Sequence, residues 1–205
     1  MSIKTKKNSH HHGHLREAII AAALLLINEG GLRALSLRKC AALAGVSHAA
    51  PAHHFGGLAG ILTALVTIGF ERLNTSMTAG LKSAEPNSYA RLLARGEGYL
   101  TFAKDNEALF ELMFTSSVPD FSDPALQKAS GTAFEILAEG CRPFADNPEH
   151  LQTLQIRIWS LVHGFADLSR GHRARPGYHP IRSTTFADVF SNVMPNIVML
   201  PPENK

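Results

Sequence analysis

The sequence predicts an all-α protein with a small N-terminal three-helix domain and a larger C-terminal helical domain, about nine helices in total. Apolar residues recur at helical spacing along most of the chain, and no segment shows the alternation of a half-buried strand. Gly, Pro and Asn residues punctuate the apolar segments at helix-length intervals. A glycine also separates two short amphipathic segments between residues 36 and 55.

Helix signals are clear on both sides of this segment. Residues 15–28 place their apolar side chains on one face, and the glycine pair 30–31 is expected to end that helix. A second glycine pair, 56–57, precedes a long apolar helix over residues 58–81. The two short helices of segment 36–55 therefore follow the helix over 15–28 and complete a group of three before the long helix.

The segment itself has the pattern of a helix-turn-helix. Leu37, Ala41 and Ala44 follow the i, i+4, i+7 spacing of one buried stripe. Gly45 permits a sharp turn, and Ser47 is placed to cap the next helix. Two helices joined by so short a turn cross steeply, which leaves the second one protruding and able to enter a DNA major groove. The pattern also fits an ordinary helical hairpin.

Pro, Asn, Asp and Gly residues set the expected boundaries after residue 84. These are a start at Pro86, a break at Asp105 and Asn106, a short helix over 107–114, a start at Ser122 or Asp123, an end at Cys141, a start at Asn147, an end at Arg170 and Gly171, and a last start near Ser183. Pro195 is expected to end or kink the last helix near Val193, because proline lacks the backbone N–H.

The charge distribution favours nucleic acid as a partner. The whole chain has a net charge of +3, but residues 1–56 carry seven Lys or Arg against two Glu, which gives +5 there and −2 over the remainder. Seven of the eleven histidines also lie in residues 1–56. A localised basic surface is what phosphate binding requires. A merely solvated basic face is the alternative.

Other functional classes find little support. Two cysteines, Cys40 and Cys141, favour reduced thiols and a cytoplasmic protein. The longest apolar run, residues 18–27, has ten residues, too few for a membrane span, and no signal peptide is expected. No enzymatic motif occurs, so we expect no catalysis and no cofactor. The histidines at 10–12 and 14 form a weak metal-site candidate, and no metal is expected.

Several motifs carry a resemblance to a known family. They are residues 11–18, residues 45–51 (Gly-Val-Ser-His-Ala-Ala-Pro) and the pair His54-Phe55. Together they resemble the DNA-binding domain of the TetR family of transcriptional regulators over residues 11–73. Further on, Trp159 with His163-Gly164-Phe165 looks like the tryptophan, histidine, glycine signature of one subgroup of TetR ligand-binding domains, and residues 102–114 also resemble that subgroup.

The resemblance implies an organisation and a function. Residues 1–13 would be a basic arm, residues 14–56 the DNA-binding domain, and residues 57–205 the ligand-binding and dimerisation domain. The expected protein is a homodimeric repressor that leaves a palindromic operator in double-stranded DNA when a small apolar effector binds, with no membrane partner. The alternative is an all-α small-molecule-binding protein with weak or lost DNA binding.

Residue type and position on exposed helix starts predict the DNA contacts. We expect phosphate contacts from Lys4, Lys6, Lys7, Ser36, Arg38, Lys39, Ser47, His53 and His54. His48, Ala49 and Ala50 are expected to face the bases, where alanine can contact thymine methyl groups. Two positions depart from the family pattern. Ala52 stands where many members have Tyr, and Leu58 where they usually have Lys, and both usual residues reach phosphates.

The resemblance also assigns the effector site to aromatic and Met residues of the C-terminal half. These are Tyr99, Phe102, Phe110, Met113, Phe114, Phe134, Trp159 and His163. Ligand sites are mostly apolar with few polar groups, so His163 is a candidate to orient the effector. It is equally open to interpretation as a core histidine that caps a backbone carbonyl.

A dimer interface is expected on the last two helices. The stripe residues step by three and four, as in a helix–helix seam. They are Leu151, Leu154, Ile158, Leu161, Phe165, Leu168, Phe186, Phe190 and Val193. Family members commonly dimerise through two such helices, although stripes of this kind also occur as the core of a single chain.

Overall fold

The structure is a computed structural model that describes residues 9–174 and 184–198. These residues contain nine α-helices. No strand occurs within these ranges, and the predicted all-α fold is confirmed. The helices are α1 (Ser9–Gly30), α2 (Leu37–Leu43), α3 (Ala50–Phe55), α4 (Leu58–Ala79), α5 (Ser88–Asp105), α6 (Glu107–Thr115), α7 (Pro124–Cys141), α8 (Pro148–Ala174) and α9 (Phe186–Val198). Lys4, Lys6 and Lys7 of the basic arm lie outside the described residues.

The chain divides into two compact units. The first contains Met1–Phe70 and Ala108–Gln127, and thus α1, α2, α3, the first part of α4 and nearly all of α6. The second contains Glu71–Glu107 and Lys128–Lys205, with α5, α8, α9 and most of α7. This grouping reflects packing within each unit. The domain boundary after residue 56 reflects the family resemblance and stays a prediction.

The N-terminal three helices form a bundle in the first unit. Ile19, Ala23 and Ile27, four residues apart on α1, are buried and form a single apolar stripe. Cys40 and Ala41 of α2 are fully buried as well. The bundle therefore has its core between α1 and α2, and α3 contacts both helices. Helix α1 begins at Ser9, earlier than the expected residue 15.

The turn between α2 and α3 follows the prediction at Gly45 but not at Ser47, and Ser36, which the sequence predicts only as a phosphate contact, caps the start of α2. The Ser36 hydroxyl accepts a hydrogen bond from the Lys39 N–H at 3.2 Å and caps α2. Gly45 has a φ of 67°, a left-handed conformation that glycine adopts without steric cost. The expectation that Ser47 caps α3 is wrong. The helix begins at Ala50, whose N–H donates to the Ser47 carbonyl at 3.0 Å, so the main chain makes the turn and no side chain caps α3.

Close contacts hold α6 and the loop after it against the first part of α4. A Cβ on Gly69 would lie 2.5 Å from the Met113 sulfur, so the methionine occupies the space that the glycine leaves. The buried Thr63 hydroxyl accepts a hydrogen bond from the Asp120 N–H at 2.9 Å. The α6 helix and its loop thus belong to the same packed unit as α3.

Side-chain caps begin four helices of the C-terminal half. They come from Asn87 for α5, Asp123 for α7, Asn147 for α8 and Thr185 for α9. Asp123 and Asn147 agree with the expected starts, whereas Asn87 and Thr185 lie one or two residues after them. Each cap accepts a hydrogen bond from a backbone N–H of the first turn, which has no partner within the helix.

The expected end of α8 is wrong, and of the two outcomes expected at Pro195, an end or a kink, the structure excludes the end. The α8 helix continues past Gly171 to Ala174, because a glycine inside a helix costs only about 1 kcal/mol. The α9 helix continues past Pro195 to Val198. Pro195 removes one hydrogen bond to the carbonyl of Ser191, but both residues are exposed and water can supply the missing partner.

The packing of α5 on α4 in the second unit gives a stability prediction. A Cβ on Gly98 would lie 2.2 Å from the Ser76 carbonyl oxygen and 2.8 Å from the Met77 Cα, and backbone atoms cannot move aside cheaply. We expect Gly98→Ala to lower the free energy of unfolding by about 3 kcal/mol in urea denaturation. In α7 a Cβ on Gly131 would meet no atom within 4 Å, so Gly131→Ala should raise that free energy by up to about 1 kcal/mol. Equal effects of the two variants would contradict the close approach.

Candidate DNA-binding surface and effector site

Helix α3 buries one side and exposes the other. Ala50, Pro51 and Phe55 are buried against the bundle. The exposed side, with the turn before it, consists of Ser47, His48, Ala49, Ala52 and His53. A helix that enters a major groove needs this arrangement, because it must stay attached while its outer side meets the bases. Since the Ala50 side chain is buried, the prediction of base contacts rests on His48 and Ala49.

Cationic side chains lie at the start of the preceding helix. Arg38 and Lys39, in the first turn of α2, are both exposed. Ser36 is half-buried, and its hydroxyl keeps a proton to donate after it accepts the cap hydrogen bond. Ser36, Arg38 and Lys39 of the predicted phosphate set therefore lie at an accessible helix start. The expectation of a helix-start position is wrong for His53 and His54, which lie in the last turn of α3.

The two predicted histidines lie at the end of α3. An arginine of α1, which the sequence analysis did not single out, contacts the same end of the helix. The rings of His53 and His54 lie 5.2 Å apart, nearly perpendicular. Arg16 of α1 donates a hydrogen bond to the His54 carbonyl at 3.0 Å, and its guanidinium carbon lies 4.2 Å from the centre of the Phe55 ring. No spacing rule joins residues 38 positions apart, so only the fold brings them together.

The two departures from the family pattern lie at accessible positions. Ala52 is exposed on α3, and Leu58 is an exposed apolar residue at the start of α4. Between them Gly56 and Gly57 have φ values of 68° and 128°, which make the bend between the helices. Both side chains are apolar, so these positions lack the tyrosine hydroxyl and the lysine ammonium group of the family pattern.

A polar cluster joins α5 and α8 inside the second unit. The Tyr99 hydroxyl lies 2.7 Å from His163 Nδ1, within hydrogen-bond distance. The rings of Trp159 and His163 lie 6.3 Å apart, edge to face. Burial raises the pKa of Tyr99, and a hydrogen bond with Trp159 opposes part of that rise. The phenol therefore stays protonated at neutral pH and can donate its proton to His163.

His163 is held in its neutral form. Burial lowers the pKa of this imidazole; Asp167 works against that change and Arg170 adds to it. In the tautomer with its hydrogen on Nε2, a neutral ring can accept a hydrogen bond from the Tyr99 hydroxyl at Nδ1. The sequence left open whether His163 orients an effector or caps a backbone carbonyl. In the structure, the Nδ1 atom of His163 pairs with the side-chain hydroxyl of Tyr99.

The other predicted effector residues divide between the two units. In the first unit Phe110, Met113 and Phe114 lie together on α6, with the two Phe rings 4.9 Å apart. In the second unit Phe102 is buried, whereas Trp159 and Phe134 are 38% and 44% exposed. The structure thus brings Tyr99, Trp159 and His163 into contact, while Phe134 presents its ring to solvent.

The predicted dimer residues differ in burial. Leu154, Ile158, Phe186 and Phe190 are buried within the single chain. The accessible members are Leu151, Leu161, Phe165, Leu168 and Val193. Of these, Leu161, Phe165 and Leu168 line an open groove of about 370 Å³ along α8 and the start of α9. The dimer-interface prediction rests on this second group.

The described residues also bear on metal binding, thiol chemistry and membrane insertion. Among the residues whose side chains are described, no three His, Cys, Asp or Glu lie close enough to hold a metal ion. Cys40 and Cys141 are buried and unbridged. Burial raises the pKa of Cys40, and it raises that of Cys141 to about 12, so neither is a reactive thiolate at neutral pH. No described helix is long and apolar enough to cross a membrane.

Solved structures of the same fold cover nearly the whole chain. A protein of unknown function from Rhodococcus sp. RHA1 is 26% identical, with a TM-score of 0.72 over 94% of this chain and 97% of that one. The TetR family transcriptional regulator PfmR from Thermus thermophilus is 18% identical, with a TM-score of 0.60 over 92% and 98%. The multidrug binding protein EbrR, complexed with imidazole, is 19% identical, with a TM-score of 0.58 over 93% and 98%.

Family models identify both halves of the sequence. Residues 19–65 match the model described as bacterial regulatory proteins, tetR family. Residues 92–187 match the tetracyclin repressor-like C-terminal domain. A comparison with curated proteins found no match. The chain therefore carries both the N-terminal and the C-terminal domain of the TetR family.

Proposed function

We propose that the protein is a ligand-responsive transcriptional repressor that binds a palindromic operator as a homodimer and leaves it when a small apolar effector binds. The observation that carries this proposal is the exposed side of α3 beside the exposed cations of α2. Such a regulator acts by binding rather than by catalysis, and it would act in the cytoplasm, where the DNA is.

The DNA step follows from residue types on that surface. Arg38, Lys39 and the arm lysines would neutralise phosphates and release counterions. His48 and Ala49, in the exposed turn just before α3, would read base edges in the major groove. Two copies of the chain would place two such helices on successive half-sites, which matches a palindrome.

The effector step is assigned to the polar cluster on α5 and α8. Tyr99 and His163 supply polar atoms in apolar surroundings, and the exposed part of Trp159 offers an aromatic surface. This combination suits a flat, uncharged molecule with one polar group. EbrR, whose solved complex contains imidazole, shares the fold and makes a broad ligand range a reasonable expectation here. The tryptophan, histidine, glycine subgroup assignment stays a prediction.

Release from DNA requires that the protein have two states, one that binds the operator and one that does not, and that the effector bind them with different affinities. An effector lowers DNA affinity only by the ratio of its affinities for the DNA-competent and the released state. DNA must weaken effector binding by the same factor, because the coupling is reciprocal. Spacing of the two α3 helices in the dimer is the variable we expect to change.

A small-molecule-binding protein with weak DNA affinity is the second candidate. The exposed Ala52 and Leu58 favour it, because they leave no phosphate-binding group at two accessible positions. Salt-dependent binding to DNA separates the two candidates.

The protein should bind a pseudo-palindromic duplex, selected from a random library, with log K falling linearly as log salt rises. Replacing Lys4, Lys6 and Lys7 by Gln should weaken binding to all duplexes by a similar factor and reduce the slope by about 0.9 for each phosphate that is no longer neutralised. The control replaces the exposed Lys82, Lys104 and Lys128, which carry the same charge in the second unit. Absence of salt-dependent binding in the wild type would favour the second candidate.

A ligand found by the fluorescence of Trp159, the single tryptophan, should lower DNA affinity by a linked amount. Tyr99→Phe removes the hydroxyl bonded to His163 and should weaken ligand binding by about 1 kcal/mol, with DNA affinity unchanged. Ile156→Ala, which trims an exposed side chain one turn before Trp159, should leave both affinities unchanged. Equal effects of the two variants in calorimetric titrations would remove the cluster from the effector site.

Leu168 is 47% exposed at the open groove, and Leu168→Glu should place a charge in the proposed dimer interface. We expect a shift from dimer to monomer in analytical ultracentrifugation and a parallel loss of operator affinity. Ile156→Glu makes the same change at a residue of equal exposure outside the groove. A dimer that survives the first variant, or dissociates with the second, would place the interface elsewhere.

A further inference from the structure

The largest buried side chain of helix α3 lies at its C-terminal end. It has only six residues, and no side chain caps its N-terminus. Its C-terminus is closed by Gly56, whose N–H donates to the Ala52 carbonyl at 2.8 Å. Ala50 and Pro51 contribute small buried surfaces, so Phe55 is its largest buried side chain.

Arg16 of α1 holds this end of α3 through two different contacts. Its Nη1 donates to the His54 carbonyl at 3.0 Å, at the end of the helix where the macrodipole is negative. Its guanidinium lies over the Phe55 ring at 4.2 Å from the centroid, within the range of a cation–π interaction. One planar group therefore covers the buried anchor of α3 and bonds to its last turn.

These contacts need the shape of arginine as well as its charge. A guanidinium can stack on a ring and direct an in-plane N–H at a carbonyl at the same time. A lysine ammonium keeps the charge and can donate a hydrogen bond, but it has no flat face to cover Phe55. Replacement by lysine thus separates the charge of Arg16 from its geometry.

We propose that Arg16 is a positioning residue of the DNA-binding surface: it fixes α3 in the orientation that reads bases and acts through Phe55 and His54 rather than through DNA. The inference rests on the proposed function, because it concerns the orientation needed for specific binding. A residue that acted only as a positive charge would strengthen binding to all DNA sequences equally.

The free protein provides the first test, by amide hydrogen exchange. Arg16→Gln should accelerate exchange at Phe55 and Gly56 about tenfold, because the variant removes a charge-assisted hydrogen bond and the cation above the ring. Arg16→Lys should give an intermediate acceleration. The control is Arg33→Gln, which removes the same charge from an exposed residue of the turn Leu32–Ala34 in the same unit and should leave both amides unchanged. Unchanged exchange in Arg16→Gln would overturn the inference without any reference to DNA.

DNA binding provides the second test, with the duplex that the wild type selects and a scrambled duplex of the same length. Arg16→Lys should lower affinity for the selected duplex about tenfold and leave affinity for the scrambled duplex and the salt slope unchanged. Arg16→Gln should lose more on the selected duplex than Arg33→Gln does. Full rescue by lysine, or equal losses on both duplexes, would show that Arg16 acts as a charge and would overturn the inference.

The two tests distinguish the ways in which the account can fail. A wild-type protein that binds neither duplex would overturn the proposed function and, with it, a role of Arg16 in reading DNA. Faster exchange at α3 with unaltered preference for the selected duplex would leave the proposed function in place and overturn only the inference.

Discussion

A six-residue helix is not stable on its own, and the proposed DNA-binding surface therefore depends on the contacts that hold α3 in place. Nucleation of an isolated helix is unfavourable, and helices shorter than about 12 residues are marginal in water. Helix α3 therefore takes its geometry from its neighbours: the glycine turn before it, the α1–α2 core beneath it, and Arg16 with Phe55 at its end. Its exposed side is left with small and imidazole side chains, which suits a surface that must approach base edges closely.

The second unit contains polar side chains between apolar helices. Buried polar atoms must pair, and Tyr99 and His163 pair with each other across α5 and α8. Burial keeps both groups uncharged at neutral pH, because it raises the pKa of the Tyr99 phenol and lowers the pKa of the His163 imidazole. At the proposed effector site, an uncharged polar pair beside a partly exposed indole would favour neutral ligands over ions, which would lose hydration there.

Local signals predicted much of this fold, and long-range contacts account for what they missed. Gly45, Asp123 and Asn147 act within one turn of their own positions, so their residue types were sufficient. Ser47 failed as a cap because the main chain closed the same turn through its carbonyl. Neither Gly171 nor Pro195 stopped its helix, since helix propensity at a single position is a weak signal that tertiary context overrides.

The candidate site shows the same difference between features that local signals predict and features that depend on long-range contacts. Exposed positions on α2 and α3 followed from helical periodicity, although the burial of Ala50 depended on where α3 begins. Arg16 was missed because its partners are 38 residues away in the sequence. The stripe on α8 and α9 was recognised as a seam, but periodicity could not separate Leu154, which packs within the chain, from Leu168, which remains exposed.

The central claim is that two copies of α3 read two half-sites of one duplex, and hydroxyl-radical footprinting of the selected duplex tests it most directly. The account predicts two protected regions related by symmetry, with centres about 10 base pairs or a multiple of that apart, and protection that requires two chains for each duplex. A single protected region bound by one chain, or no protection at salt concentrations where the protein is folded, would contradict the account.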